Sequence, residues 1–178
     1  MDSDQQRQLA EAAGEGDPRA WELLYRNVYP RLLGYAVTRA GVDAGEDLVN
    51  ETMARAVAGI GRFKWEGAGF DAWLFGILRR VCNEHHRRNK AIDRTRFLDM
   101  WVNYAEPGEA LERQAEQDAM RQAFAALDDS DRDILALRLM SGLPADEVAK
   151  LVGKTPGAVR TAQSRALAVL RSLVRQQQ

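Results

Sequence analysis

Apolar residues recur along most of the chain at intervals of about three and four, the spacing that gives a helix one buried side. Trp21, Leu24, Tyr25, Val28, Leu32 and Ala36 share such a face on a first long helix, which Asp17 caps and Pro18 opens without losing a needed hydrogen bond. Pro30 falls inside this pattern and predicts either a kink near Asn27 or two abutting helices. Ahead of it, Met1 to Gly16 reads as a polar, partly frayed lead-in. Beyond a break at Gly41 to Gly45, a second helix from Glu46 turns Val49, Met53, Ala56, Val57 and Ile60 inward and Asp47, Asn50, Glu51, Ala54 and Arg55 outward. A glycine-rich loop, Gly61 to Gly69, then leads to a third helix from Asp71 to Arg88. Phe70, Trp73, Leu74, Ile77, Leu78 and Val81 line its buried side, with Arg79, Arg80, Asn83, Arg87 and Arg88 on or near the exposed one.

After Lys90 the periodicity weakens, and Ile92 to Gly108 reads as a linker, although Phe97, Trp101 and Tyr104 in it imply docking on the protein's own domains or on a partner. A helix from Glu109 leads into the acidic break Asp128 to Asp131. From Ile134 to Val174 the chain reads as two short helices, a tight turn and a longer basic helix, which is a helix-turn-helix pattern. Pro144 suits the first position of the middle helix, whose apolar side is Val148, Leu151 and Val152. Ala149 permits a close crossing, and Gly153 sits where the turn needs a positive φ. Thr155-Pro156 then starts the last helix as cap and first residue. Val159, Ala162, Ala166, Leu170 and Leu173 face its neighbours, which leaves Gly157, Arg160, Thr161, Ser164 and Arg165 on the free face. From Lys154 onward the basic residues Lys154, Arg160, Arg165, Arg171 and Arg175 are accompanied by no acid. Small residues that allow close approach, together with arginines that can bond guanine or phosphate, suit the major groove. The plainer alternative is a three-helix packing unit with a solvated basic face. The pattern as a whole predicts an all-α protein of two small helical domains, residues 1–91 and 109–178, joined by a flexible linker at 92–108.

Composition agrees with a soluble, helix-rich chain: of 178 residues, 46% are hydrophobic, 29% charged and only 5 proline. Charge adds something the pattern does not show. The formal net charge is only -1, yet between Arg79 and Arg96 the cations Arg79, Arg80, Arg87, Arg88, Lys90, Arg94 and Arg96 face just Glu84 and Asp93. Acids dominate from Glu106 to Asp133 instead, so the positive charge is gathered in two separated patches, as a polyanionic partner would require. Cys82, the single cysteine, excludes an intramolecular disulfide and fits a reducing cytosol. No apolar run approaches a membrane span and the start MDSDQQRQ is no signal peptide, so a cytoplasmic protein without membrane insertion is expected.

Candidate chemistry is sparse. The run Cys82-Asn83-Glu84-His85-His86 contains metal-binding residue types, but consecutive helical positions point in different directions and no second Cys or His cluster exists, so neither metal nor other cofactor is expected. No catalytic constellation is evident. Phe63 and Trp65, with Lys64 between them, lie on the glycine-rich loop beside a basic helix. They suit stacking on an unpaired base or, equally, pinning of the loop to the core.

The order of these parts, aromatic loop and basic helix first, helix-turn-helix second, resembles the extracytoplasmic-function sigma factors of the sigma-70 family from about Asp17 to Val174. The family's acidic D-x-x-Q-E-like polymerase contact is matched by Asp47, Asn50 and Glu51, with Asn50 where the family has glutamine and Arg55 one turn on. Its W-L-x-x-I-x-x-N-x-x-x-D-x-x-R helix is matched by Trp73, Leu74, Ile77 and Arg87, with Arg80 in place of the asparagine and Glu84 in place of the aspartate. By this resemblance, Phe63 to Phe70 is the loop that captures a flipped-out base of the minus-10 element, which favours the stacking reading of Phe63, Lys64 and Trp65. Arg79, Arg80, Asn83, Arg87, Arg88 and Lys90 would meet the same strand. The helix from Thr155 would read the minus-35 element with Lys154, Thr155, Gly157, Arg160, Thr161, Ser164 and Arg165, and the tether at 92–108 would thread the polymerase's RNA path.

The resemblance therefore implies a non-enzymatic transcription initiation factor whose partners are core RNA polymerase and promoter DNA, duplex at minus-35 and single-stranded at minus-10. It also admits an anti-sigma factor. Only a few residues follow Val174 in this sequence, so regulation is expected from a partner protein, from expression or from proteolysis rather than from a fused C-terminal domain. The competing reading is a helix-turn-helix regulator that binds duplex DNA without polymerase, which leaves the Asp47/Asn50/Glu51 face and the aromatic loop unexplained. An enzyme using Glu84, His85 and His86 is a third, without a second acid-base cluster to support it.

Overall fold

The computed structural model describes residues 1–88 and 127–175, and among them every regular element is a helix. The N-terminal unit holds α1 (Ser3–Gly14), α2 (Pro18–Ala40), α3 (Val42–Gly59), a single 3-10 turn (Ile60–Arg62) and α4 (Gly69–Arg88). The C-terminal unit holds α5 (Asp129–Ser141), α6 (Ala145–Val152) and α7 (Pro156–Arg175). The expected linker with Phe97, Trp101 and Tyr104, the helix expected from Glu109, Lys90, and the side chains of Leu170, Leu173 and Arg175 lie outside the described residues.

Three expectations are corrected, and of the two alternatives at Pro30 one is removed. Met1 to Gly16 is no frayed lead-in: the Asp2 carboxylate accepts from the Gln5 amide at 2.8 Å and caps α1, whose Ala10 and Ala13 are buried. Its Gln6 side chain donates to Asp71 Oδ1 at 2.7 Å, so α1 is stapled to α4 as well as packed on it. Pro30 does not divide α2 into two helices. One helix runs through it, with the Asp17 carboxylate accepting from the Arg19 amide at 2.9 Å. Nor does the break after α2 span five residues; Gly41 alone makes it, with φ 86°, and Gly45 is already inside α3. On α3, Val57 faces solvent with 55% of its surface exposed, while Leu48 and Thr52 are buried; the Thr52 hydroxyl donates to the Leu48 carbonyl and so needs no partner outside the helix.

Leu24, Val28, Leu32, Tyr35 and Ala36 of α2 form the spine of the core. Against it pack Val49 and Ala56 of α3, Phe70, Leu74, Phe75, Leu78 and Val81 of α4, and Ile134 and Leu137 of α5. The C-terminal unit is organised as its sequence suggests. The Asp128 carboxylate accepts from the Asp131 amide, Gly142 and Gly153 end α5 and α6 with φ 68° and 70°, and Thr155 Oγ1 accepts from the Ala158 amide at 3.2 Å to start α7. Pro144 differs by one place: it is extended and precedes α6, which begins at Ala145.

Gly45 shows how tightly α2 and α3 meet, because a Cβ there would clash with Val37 Cγ2, and valine has little rotamer freedom to retreat. We expect Gly45→Ala to destabilise the protein by about 1–3 kcal/mol despite alanine's better helix propensity. Urea unfolding would check this; equal or greater stability would mean that the helices can separate at no cost.

Candidate nucleic-acid and protein interfaces

Three surfaces carry the residues singled out by sequence. On α3, Asp47, Asn50 and Glu51 are exposed, one turn of helix presenting two carboxylates and an amide to solvent. Arg55 is held on both sides. Its Nε donates to Glu51 Oε1 at 2.9 Å, and its two terminal nitrogens grip Glu84 of α4 at 3.2 and 2.8 Å. That bidentate pair holds the Glu84 carboxyl below the usual range, chiefly by hydrogen bonding, and Arg88 adds a looser contact at 3.8 Å. The outward face of α3 is thus tied to the basic end of α4.

The loop before α4 is anchored by its aromatics. Phe63 is half-buried, its ring centroid 4.9 Å from Trp73 and 5.9 Å from Phe70, and Trp65 meets Phe63 edge-on at 6.2 Å. Trp65 also lies across Gly69, where φ is 66° and a Cβ would come within 2.5 Å of the indole, so a glycine is needed there on two counts. Both rings therefore pack on the core while keeping part of their surface in solvent, and Lys64 between them is exposed. On α4, Arg80, Arg87 and Arg88 are exposed, and Arg80 donates to the Gly76 carbonyl one turn back. Asn83 is half-buried and accepts from Arg39 at 3.3 Å.

Arg79 has a different environment from its neighbours, with 23% of its side chain exposed. Its Nε donates to Asp133 Oδ2 of α5 at 2.8 Å and its Nη1 to the Leu151 carbonyl at the end of α6, also at 2.8 Å. Asp133 is buried and accepts from the Tyr35 hydroxyl at 2.5 Å through its other oxygen, near which Arg39 Nε lies at 3.7 Å without a hydrogen bond. Burial first and the Asp133 charge second raise the Tyr35 phenol well above its ordinary range, so it stays protonated and donates. A second arginine, Arg31, bonds Asp71 at 2.6 Å and the Ser141 carbonyl at 3.0 Å. The last turns of α5 and α6 each leave carbonyls without helical partners, and arginines of the N-terminal unit supply them. Sequence reasoning missed Tyr35 and Asp133. Tyr35 does sit three residues after Leu32 on the apolar stripe, and a phenol there demands a buried acceptor.

On α7, Val159, Ala162 and Ala166 are buried and Gly157, Arg160, Thr161, Ser164 and Arg165 are exposed, as the pattern predicts, and Lys154 and Thr155 just before it are exposed as well. Arg165 is not free, however. Its Nε and Nη2 grip Asp131 at 2.5 and 2.6 Å; that hydrogen bonding, then the aspartate's charge, raises its pKa. Among the described residues no group of three His, Cys, Asp or Glu could hold a metal ion, and Cys82 is buried, its thiol pushed up to about 12 by burial. No helix among these residues is long and apolar enough to cross a membrane.

Residues 24–92 match the family description Sigma-70 region 2, and residues 117–170 match Sigma-70, region 4. The chain is similar to the ECF RNA polymerase sigma factor BldN of Streptomyces coelicolor, at 30% identity over 97% of this chain and 67% of that protein. Its fold is similar to that of CnrH, solved in complex with the cytosolic domain of CnrY, with a TM-score of 0.72, 22% identity and coverage of 97% and 98% of the two chains. It is also similar to the sigma factor RpoE, solved with the anti-sigma factor NepR from Bartonella quintana, with a TM-score of 0.64, 23% identity and coverage of 87% and 96%.

The Arg165 pair has a measurable consequence. Removing the arginine strands a buried carboxylate, so Arg165→Ala should lower the thermal midpoint, whereas Arg160→Ala, on an exposed position, should leave it unchanged. Equal melting of both variants and the parent would show that Asp131 has other partners in solution.

Proposed function

The chain belongs to the ECF RNA polymerase sigma factors of the sigma-70 family, and on that premise we propose which residues carry each part of its work. Such a factor directs core polymerase to particular promoters and assists in opening them. In this reading Asp47, Asn50, Glu51 and Arg55 contact core polymerase, and Lys154, Thr155, Gly157, Arg160, Thr161, Ser164 and Arg165 form the minus-35 interface. Phe63, Lys64, Trp65, Arg79, Arg80, Asn83, Arg87 and Arg88 hold the minus-10 strand. The divisions proposed are 1–91, 92–108 and 109–178. Arg165 enters with a qualified role: gripped by Asp131, it sets the height of the helix and offers its remaining donors to phosphate rather than to a base.

The observation that carries this reading is the disposition of α7. Its Val159, Ala162 and Ala166 are buried, whereas Gly157, Arg160, Thr161 and Ser164 are open on a helix without acids. Such a helix can enter a major groove with small residues nearest the base edges and Arg160 within reach of guanine or phosphate. The mechanism uses binding energy alone and assigns no catalytic group. Polymerase holds α3, duplex contacts at minus-35 fix the register, and the loop and α4 bind the unpaired strand better than the duplex, which draws the equilibrium toward the melted state. A cytoplasmic location follows from those partners. The likeness to RpoE bound to NepR supports an anti-sigma factor as a further partner of this chain.

Two outcomes are expected. Asp47→Arg with Glu51→Arg should abolish binding to core polymerase in a protein with an unaltered helical spectrum, since both side chains are exposed; unchanged affinity would remove α3 from the polymerase interface. Phe63→Ala or Trp65→Ala should impair promoter opening far more than closed-complex formation, since base stacking contributes roughly 1–3 kcal/mol per base. Permanganate reactivity of unpaired thymines beside a gel shift of the closed complex would read the difference. Intact opening with both well-folded variants would make the rings core pins only.

A further inference from the structure

One acid, Glu84, stands among the cations on the basic end of α4. It lies four residues after Arg80 and three and four before Arg87 and Arg88, the spacings that set helical side chains next to one another. A carboxylate in that place would repel the phosphates that these arginines are proposed to meet, or would pair with one of them and take it out of use. Arg55 of α3 removes both difficulties. It takes both carboxylate oxygens, Nη1 bonding Oε1 at 3.2 Å and Nη2 bonding Oε2 at 2.8 Å. Arg88 lies 3.8 Å from Oε2, and Arg80 turns back to the Gly76 carbonyl at 3.2 Å. Arg55 is itself steadied from its own helix by Glu51, which accepts from its Nε at 2.9 Å. The acid on α4 is thus discharged mainly by a cation of the neighbouring helix.

We propose that Arg55 is a positioning residue for the unpaired strand: it acts across the helix boundary as the counter-ion of Glu84, and so keeps the α4 face cationic and leaves Arg87 and Arg88 to the phosphates. The proposal rests on the assignment of that face to the minus-10 strand. Arg55 performs this task without touching the strand, through the field that the strand meets. Its geometry suits the task. A guanidinium grips a carboxylate by two parallel bonds, which a looser contact from an i,i+4 partner does not match, so Arg55 prevails over Arg88 for the acid. With 37% and 31% of their side chains exposed, Arg55 and Glu84 are also screened less than a fully solvated pair. Arg55 belongs to the helix whose outer face carries Asp47, Asn50 and Glu51. One guanidinium therefore supports the strand face from the helix assigned to polymerase.

The test is a rescue, read as promoter opening by holoenzyme with the factor in sufficient excess to saturate core polymerase. Permanganate reactivity is followed on a promoter from which the parent holoenzyme makes a run-off transcript. Arg55→Ala leaves Glu84 charged and without its counter-ion, and should lower the opening equilibrium roughly threefold or more. Adding Glu84→Gln to it removes the stranded charge and should return opening to near the parent level, while any loss of core affinity caused by Arg55→Ala persists. Glu84→Gln alone should open at least as well as the parent. The Arg55→Ala deficit relative to the parent should also narrow as salt is raised, because the effect is electrostatic. If Arg55→Ala does not fold, Arg55→Gln keeps the side chain's bulk without its charge and carries the same comparison. A double variant that opens as poorly as Arg55→Ala would overturn the proposal, and so would unimpaired opening by Arg55→Ala or a deficit indifferent to salt. Arg87→Ala with Arg88→Ala separates the two levels of the argument. If that variant impairs opening while the rescue fails, α4 still meets the strand and only the counter-ion role falls; if it opens normally, the assignment of the α4 face falls and the proposal with it.

Discussion

A single buried carboxylate, Asp133, holds the two halves of this molecule in register. It accepts from the Tyr35 hydroxyl at 2.5 Å and from Arg79 at 2.8 Å, so one side chain of α5 joins α2 and α4 of the other unit. Desolvating a carboxylate is costly, and the cost is recovered only where its oxygens are bonded. That requirement fixes where α5 can sit: a sliding or rotation of the C-terminal unit would strand the acid. Arg31 and Arg79, bonding the terminal carbonyls of α5 and α6, add direction to the same contact.

The exposed polar faces are arranged around this constraint. The exposed polar groups of α3 and α7 stay outside it, supported from beneath by apolar stripes, while Gly67 of the loop and Gly76 and Arg79 of α4 lie against the C-terminal unit. The Glu51–Arg55–Glu84 network performs a complementary task within the N-terminal unit. It links the α3 face to α4 through a partly buried chain of hydrogen bonds, which the packing of Val49, Ala56 and Leu78 already holds at short range.

Much of the fold was legible because helices with one buried side write their period into the sequence. Leu24, Val28 and Leu32, or Val159, Ala162 and Ala166, are read directly, and Gly153 and Thr155 mark a turn and a cap by their chemistry. The resemblance to a family then supplied roles that periodicity does not. What escaped was set by tertiary contact. Val57 has a core residue's composition but faces solvent, and Gly45 looked like a breaker because nothing in the sequence shows that Val37 needs the space. Asp133 sat unremarked in an acidic stretch, since no local pattern distinguishes the one aspartate that will be buried from those beside it. The same applies to Arg79 and Arg165. Each was placed on an exposed face by its helical position, yet each is gripped by an acid far away in sequence.

The Asp133 contact can be measured directly as a coupling energy. In a double-mutant cycle on urea unfolding of the free chain, Arg79→Ala and Asp133→Ala are made singly and together. The seam described here predicts that their effects fail to add by about 1 kcal/mol or more, the double variant losing less than the sum, because each single change already forfeits the pair. Strict additivity, with each substitution acting as if the other residue were absent, would show that α4 and α5 do not meet in solution and would contradict the account.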